Sequence, residues 1–219
     1  MCEKSSSINL SLKKLTTTIL LLWFLLALGC SLFGVFDSQQ RPPIAFGLAA
    51  ILPVIAFAIW CQRSPVFRQF VLGANLRLLT LAQTWRVGGI AFVILYQRGV
   101  LPGMFALPSG WGDFAIGVTA PLITWAIAVN KNFPERAFVL WNVLGLLDLV
   151  MAVTLGILGS AGPLGIFAAE ITTQAMGTFP LSLVPTFFVP LLAILHLISL
   201  GRVYDQPDVT GKPILQVTA

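Results

Sequence analysis

Charged residues are scarce in this sequence. Only 10% of its 219 residues are charged, whereas soluble domains carry about 25%. Hydrophobic residues make up 57% of the chain, and the mean hydropathy is +0.91. This composition excludes an ordinary soluble domain and makes the lipid bilayer the first expected partner.

Histidine and cysteine are also scarce. His196 is the single histidine, so one chain cannot supply two-histidine haem ligation or a histidine-rich metal site. Cys2, Cys30 and Cys61 are an odd number without CxxC spacing, which indicates neither a disulfide framework nor a zinc site. We therefore expect no metal and no cofactor.

Catalytic motifs are missing as well. The sequence contains no GxSxG, no HExxH, no glycine-rich phosphate loop and no Walker motif. The basic residues give a formal net charge of +5 but form no run, which argues against nucleic acid as a partner. No catalytic residue can be named, and the sequence favours a protein that is not an enzyme.

Six long apolar stretches are present instead, each long enough to cross the hydrocarbon core of a bilayer as a helix. They predict an all-α, polytopic integral membrane protein: a basic N-terminus over 1–14, a six-helix bundle over 15–203 and a polar tail over 204–219. The predicted spans cover about 15–36, 43–61, 78–97, 111–130, 138–159 and 181–203. The first span also resembles a secretory signal peptide, but its apolar run exceeds the roughly 7 to 15 residues of a signal, so we interpret it as a retained helix.

Three connecting segments have distinctive sequences. Residues 62–77 carry arginines among apolar residues, which fits a short interfacial helix or, as we prefer, a long loop on the basic side. Residues 98–109 are apolar and interrupted by proline and glycine, so we expect a connector that packs on the bundle. Residues 160–179 fit a short surface helix or a loop equally well, with Glu170 as an exposed loop charge.

The positions of lysine and arginine predict the topology. Ten would lie on one side of the membrane and two on the other, with Arg86 inside the third span. This asymmetry places both termini in the cytosol by the positive-inside rule, and the expected location is a bacterial inner (plasma) membrane. The ten are Lys4, Lys13, Lys14, Arg63, Arg68, Arg77, Lys131, Arg136, Arg202 and Lys212; the two are Arg41 and Arg98.

Two opposite charges lie inside predicted spans. Asp148 stands near the middle of the fifth span, on one helical face with Gly145 and Ala152, and small residues there let a neighbouring helix approach. At 1.5 Å per residue, Arg86 lies roughly 12 Å and Asp148 roughly 15 Å from the cytosolic boundary. An isolated charge at mid-bilayer costs about 2.5–3.5 kcal/mol. We therefore predict an Arg86–Asp148 ion pair, either direct or bridged by water.

Further polar residues would extend this pair. Asn142 and His196 each lie roughly 6 to 11 Å from the cytosolic boundary and can hydrogen-bond to each other. His196 has two interpretations: a buried histidine satisfied by a backbone carbonyl or by Asn142, or a proton relay, since its ordinary pKa suits exchange near neutral pH.

Asp113 is predicted two or three residues inside the outer boundary of the fourth span, within reach of Arg98. One interpretation is that Asp113, like Ser109, contacts the free N–H groups at a helix start. The other is that Asp113 is an acid at the outer mouth that leads from the outer side to the depth of Asp148. Trp85 points to a different face from Arg86 and is expected in the core.

Three functions are compatible with the predicted polar network of Arg86, Asp113, Asn142, Asp148 and His196. The first is a small transporter or proton-coupled carrier, with a proton or small molecule as substrate. The second is a non-catalytic membrane subunit or scaffold whose ion pair fixes helix register. A membrane-embedded enzyme ranks last, because one histidine with scattered acids defines no reaction. The sequence identifies no ligand-binding residues, oligomer or partner subunit.

Overall fold

A computed structural model describes residues 2–37, 44–129 and 134–205. These ranges form α-helices joined by turns, two 3-10 segments, one π-helical turn and one longer irregular region between α7 and α8. The α-helices are α1 (Cys2–Leu32), α2 (Ile44–Arg63), α3 (Pro65–Leu72), α4 (Leu76–Ala82), α5 (Ile90–Gln97), α6 (Gly103–Val129), α7 (Glu135–Leu158) and α8 (Val189–Asp205). The tail after residue 205 lies outside the described residues.

Within the described ranges, six helical stretches are long and apolar enough to cross a membrane, as the sequence predicts. They are Asn9–Leu32, Ile44–Arg63, Leu76–Gln97, Gly103–Val129, Glu135–Leu158 and Val184–Asp205. Their outward faces carry large apolar side chains such as Leu26, Leu122 and Val150.

Two of the six stretches are not continuous α-helices. The third joins α4 to α5 through a 3-10 segment, Gln83–Gly89. The sixth begins with a π-helical turn, Val184–Phe188, before α8. Pro190 lies two residues after the end of that turn and has no N–H, so the carbonyl of Thr186 cannot receive the regular α-helical bond.

The fourth apolar stretch, α6, begins earlier than predicted. Residues 103–109 were expected in a connector, but α6 runs unbroken from Gly103 and includes Pro108. Pro108 removes only one N–H donor, and it does so near the start of the helix. The connector is therefore limited to residues 98–102.

The other two connecting segments differ from each other. The loop preferred for residues 62–77 is wrong, because α3 forms there with Ser64 as its N-cap and buries Phe67 and Val71. The region 160–179 is largely irregular, with one 3-10 turn at Thr173–Gly177, and Glu170 is exposed as expected.

The 3-10 segment Gln83–Gly89 packs against α6 over the most extensive contact between two elements of the fold. Glycines make this contact possible: a Cβ on Gly117 would collide with the backbone of Arg86 and Val87, and one on Gly110 would press on the carbonyl of Gly89. The close approach brings the middle of the third stretch directly onto α6, and this positions the site described next.

Candidate functional site

Arg86 is the centre of a buried polar cluster. It lies on the 3-10 segment and is 2% exposed. Its Nε donates to Asp113 Oδ1 at 2.7 Å, and its Nη2 donates to Asp148 Oδ2. Its Nη1 donates to the carbonyl oxygen of Gly145 at 3.0 Å and contacts His196 Nε2 at 3.1 Å. One guanidinium therefore joins the third stretch to α6, α7 and α8.

The tautomer of His196 follows from these contacts. An arginine N–H can only donate, so His196 Nε2 accepts and the ring proton stands on Nδ1. Nδ1 then donates to Asn142 Oδ1 at 2.8 Å, and the amide nitrogen of Asn142 donates to the carbonyl of Phe138 at 2.9 Å. The imidazole is held neutral with both nitrogens occupied, which is the arrangement expected for a histidine satisfied by Asn142.

The structure places all five sequence-predicted site residues in this cluster. The Arg86–Asp148 ion pair is present and direct, without a bridging group. Asn142 and His196 extend it toward the start of α7. Their roles in a function remain a prediction.

Asp113 is the residue whose predicted surroundings were wrong. It lies ten residues into α6, at the level of Asp148, and forms an ion pair with Arg86 rather than with Arg98. The longer helix is the reason, because a start at Gly103 instead of Trp111 moves Asp113 from the first turn to mid-helix. Neither Asp113 nor Ser109 therefore contacts the free N–H groups of a helix start.

Trp85 was also misplaced by the sequence interpretation. It was expected in the core, but its side chain is 73% exposed and stacks on Phe188, with ring centroids 5.9 Å apart. The neighbouring Arg86 occupies the inward face of the 3-10 segment, which turns Trp85 outward.

Three glycines provide the space that the polar side chains of the cluster fill. A Cβ on Gly89 would collide with Asp113, one on Gly112 with the Asp148 carboxylate, and one on Gly145 with the His196 ring. Gly145 stood on the predicted stripe of small residues on α7, whereas Gly112 was missed. Its position directly before Asp113 was the available signal.

We expect Gly89→Ala to destabilise the fold by about 1–3 kcal/mol, the usual effect of overpacking a filled interior. The neighbouring Gly88 is the matched control, because a Cβ there meets nothing within 4 Å. Gly88→Ala should change stability by less than about 0.5 kcal/mol. Unfolding of both variants in mixed detergent micelles measures the difference, and equal stability would contradict the close packing of Gly89 on Asp113.

The charges of the cluster do not balance. One guanidinium faces two carboxylates, and the histidine is neutral, so the cluster carries one excess negative charge when both acids are ionised. Asp148 Oδ1 is buried without a hydrogen-bond partner. Within the described residues, Asp113 accepts a hydrogen bond through Oδ1 only.

Two cavities border this cluster, and a third lies next to the smaller of them. The largest, about 200 Å³, is bordered by Arg86 and Asp113. A second, about 30 Å³, also borders Asp113 and shares Val184 with the first. A third, about 20 Å³, shares Gly156 with the second and is lined by Ser160, Thr173 and Gln174. Each of the two small cavities has room for a water molecule. In the opposite direction the cluster is closed by Asn142, Phe138 and Leu76, which are at most 1% exposed.

Comparison with known protein families gives a match that covers most of the chain. The family described as a domain of unknown function, DUF8737, matches residues 43–204. The matched region contains all five residues of the cluster and every residue that lines the three cavities except Phe36. It excludes α1. No curated protein and no solved structure matches the chain.

Proposed function

The chain belongs to the DUF8737 family, and we propose that it is a small proton-coupled membrane transporter whose proton is held by the Arg86 cluster. The observation that carries the proposal is the excess carboxylate in a buried site. A second ionised acid without a cation is costly in an apolar interior. Binding one proton makes the cluster neutral.

The distribution of polarity supports a membrane location. Leu26, Leu122 and Val150 are each more than 60% exposed, whereas Asp113 and Asp148 are 8% exposed. A bilayer favours a protein whose outer surface carries apolar side chains and whose charged side chains lie inside. With the positive-inside rule, the proposed orientation has both termini in the cytosol, as in a bacterial inner membrane.

Access from one side supports transport. The two small cavities form an interrupted path from Ser160 and Thr173 to Asp113, while the side of Asn142 and Phe138 is closed. A carrier needs such one-sided access, which must alternate. The non-α segment Gln83–Gly89 carries Arg86, and the non-α segment Val184–Phe188 lines the cavities beside Asp113. Irregular turns of this kind are common at sites of functional movement.

A structural role is the second candidate. Arg86 uses its three side-chain nitrogens on four groups from three other helices, and such extensive pairing suits a cluster that fixes helix register. On this alternative the chain would be a non-catalytic membrane subunit or scaffold, and the cluster would hold no exchangeable proton.

The infrared band of a protonated carboxyl group separates the two. In lipid nanodiscs near neutral pH, the unmodified chain should show one protonated acid from the cluster. Asp113→Asn and Asp148→Asn should each abolish that band, because one remaining carboxylate balances Arg86. Asp205→Asn is the matched control, since Asp205 pairs with Arg68 at the surface. The absence of the band from the unmodified chain would overturn the proposal in favour of the structural role.

Proton movement tests the transport step itself. In proteoliposomes that contain a pH-sensitive dye, a membrane potential should drive proton flux through the unmodified chain and through Asp205→Asn. Asp148→Asn should show only the flux of empty vesicles. Equal flux in all three variants would contradict a role for the cluster.

A further inference from the structure

The largest cavity at the cluster has apolar walls and one polar end. Its volume of about 200 Å³ is several times that of either small cavity. Phe92, Leu149 and Leu192 form much of the wall, and Arg86 and Asp113 are the charged residues that line it. A guest must therefore be small and largely apolar, with one polar group.

The polar group of the cavity that can receive a ligand is a carboxylate. Arg86 already donates through Nε, Nη1 and Nη2 to protein acceptors. Asp113 has Oδ2 left without a hydrogen bond among the described residues, and this oxygen lies beside Gly89, which also lines the cavity. With both acids ionised the cluster is negative, so its charge complements a monovalent cation.

The mouth of the cavity faces the apolar outer surface of the bundle. Trp85 and Phe188 both line the cavity, and their rings stack on each other. Trp85 shares its exposed surface with Leu78 and Leu81. The mouth therefore opens through an aromatic pair toward the region that lipid would occupy, and not at the end of the bundle where Thr173 lies.

We infer that this cavity binds a small lipophilic amine, which enters from the bilayer side and places its ammonium group on Asp113. The inference rests on the proposed function, because the amine neutralises the same excess carboxylate as the proton does. One cation satisfies the cluster, so amine and proton exclude each other. The bound proton therefore leaves as the ammonium binds, and amine binding is coupled to proton release at the same carboxylate.

Three probes with the same phenyl group test the inference: phenethylamine, 2-phenylethanol and 3-phenylpropionate. Calorimetry in nanodiscs should detect binding of the amine alone, weaker at lower pH. The infrared band of the bound proton should disappear when the amine binds. A hydrogen bond to a charged group contributes about 1.5–3 kcal/mol, so Asp113→Asn should weaken amine binding about 10- to 150-fold.

Two variants identify the cavity. Leu192→Phe, which extends a cavity-lining side chain without changing charge, should weaken amine binding and keep the proton band. Asp205→Asn should keep both. Equal affinity for the alcohol and the amine would overturn the inference, as would undiminished amine binding by Leu192→Phe.

The failures of the two proposals are distinguishable. A proton band without amine binding refutes the amine site and leaves the proton site standing. Amine binding without a proton band in the unmodified chain supports the cavity and refutes the proton-coupled function.

Discussion

Arg86→Leu is expected to lower the stability of the folded chain by about 3–5 kcal/mol, the effect of removing one partner from a buried charge pair. The substitution leaves Asp113 and Asp148 facing each other in an interior that is closed to bulk water on one side. It also removes the donor to the Gly145 carbonyl. We expect a large loss of folded protein after extraction in mild detergent, and a lower unfolding temperature for the remainder.

Arg68→Leu is the matched control for this substitution. Arg68 pairs with a single carboxylate, that of Asp205, and its side chain is 53% exposed. Exposed ion pairs contribute about 0–1 kcal/mol. If Arg68→Leu and Arg86→Leu unfold at the same temperature, the buried cluster does not stabilise the fold in the way that its geometry indicates.

The ion pair between Arg86 and Asp148 was predictable because the alternatives are so costly. Both residues lie inside apolar runs, at similar depths and on faces with small neighbours. A charge in that position must meet a partner. The number of candidate spans was predictable for a similar reason, since length and hydropathy alone determine it.

The position of Asp113 was not predictable in the same way. Pro102, Gly103 and Pro108 together indicated a connector, and the sequence gives no local sign that a helix continues through Pro108. The extra helical turns are stabilised by packing, because Phe105 and Ala106 are buried against the third stretch and its neighbours. Tertiary contact therefore outweighed the helix-breaking tendency of proline, and this changed a presumed helix-start residue into a second acid on Arg86.

The 3-10 segment and the cavities depend on contacts between distant parts of the chain. The amino-acid sequence of residues 83–89 does not distinguish a 3-10 segment from an α-helix. The segment forms where Gly110 and Gly117 of α6 allow it to approach α6 closely. The cavity at Asp113 is bounded by side chains from four of the six stretches. A single sequence contains the residues of such a site but not their juxtaposition.

Removing all three charges of the cluster is expected to restore much of the stability that Arg86→Leu loses. The double substitution Arg86→Leu with Asp148→Leu suffices if the pair is isolated, but the structure adds Asp113 to the same guanidinium. The double variant still contains one unpaired acid. We therefore expect stability to rise from the single to the double variant, and again when Asp113→Leu is added, because neutral residues of similar size often replace a buried ionic group at little cost.

Function should not follow stability through this series. If the cluster holds a transported proton, the triple variant is folded and stable but shows neither the infrared acid band nor proton flux. If the cluster only fixes helix register, the triple variant still assembles in the membrane, and its proton flux equals that of the unmodified chain. Unfolding temperature and proton flux measured on the same three variants therefore separate the two roles. A triple variant no more stable than Arg86→Leu alone would show that the polar groups around Arg86, including His196 and the Gly145 carbonyl, need the guanidinium itself and not merely charge balance.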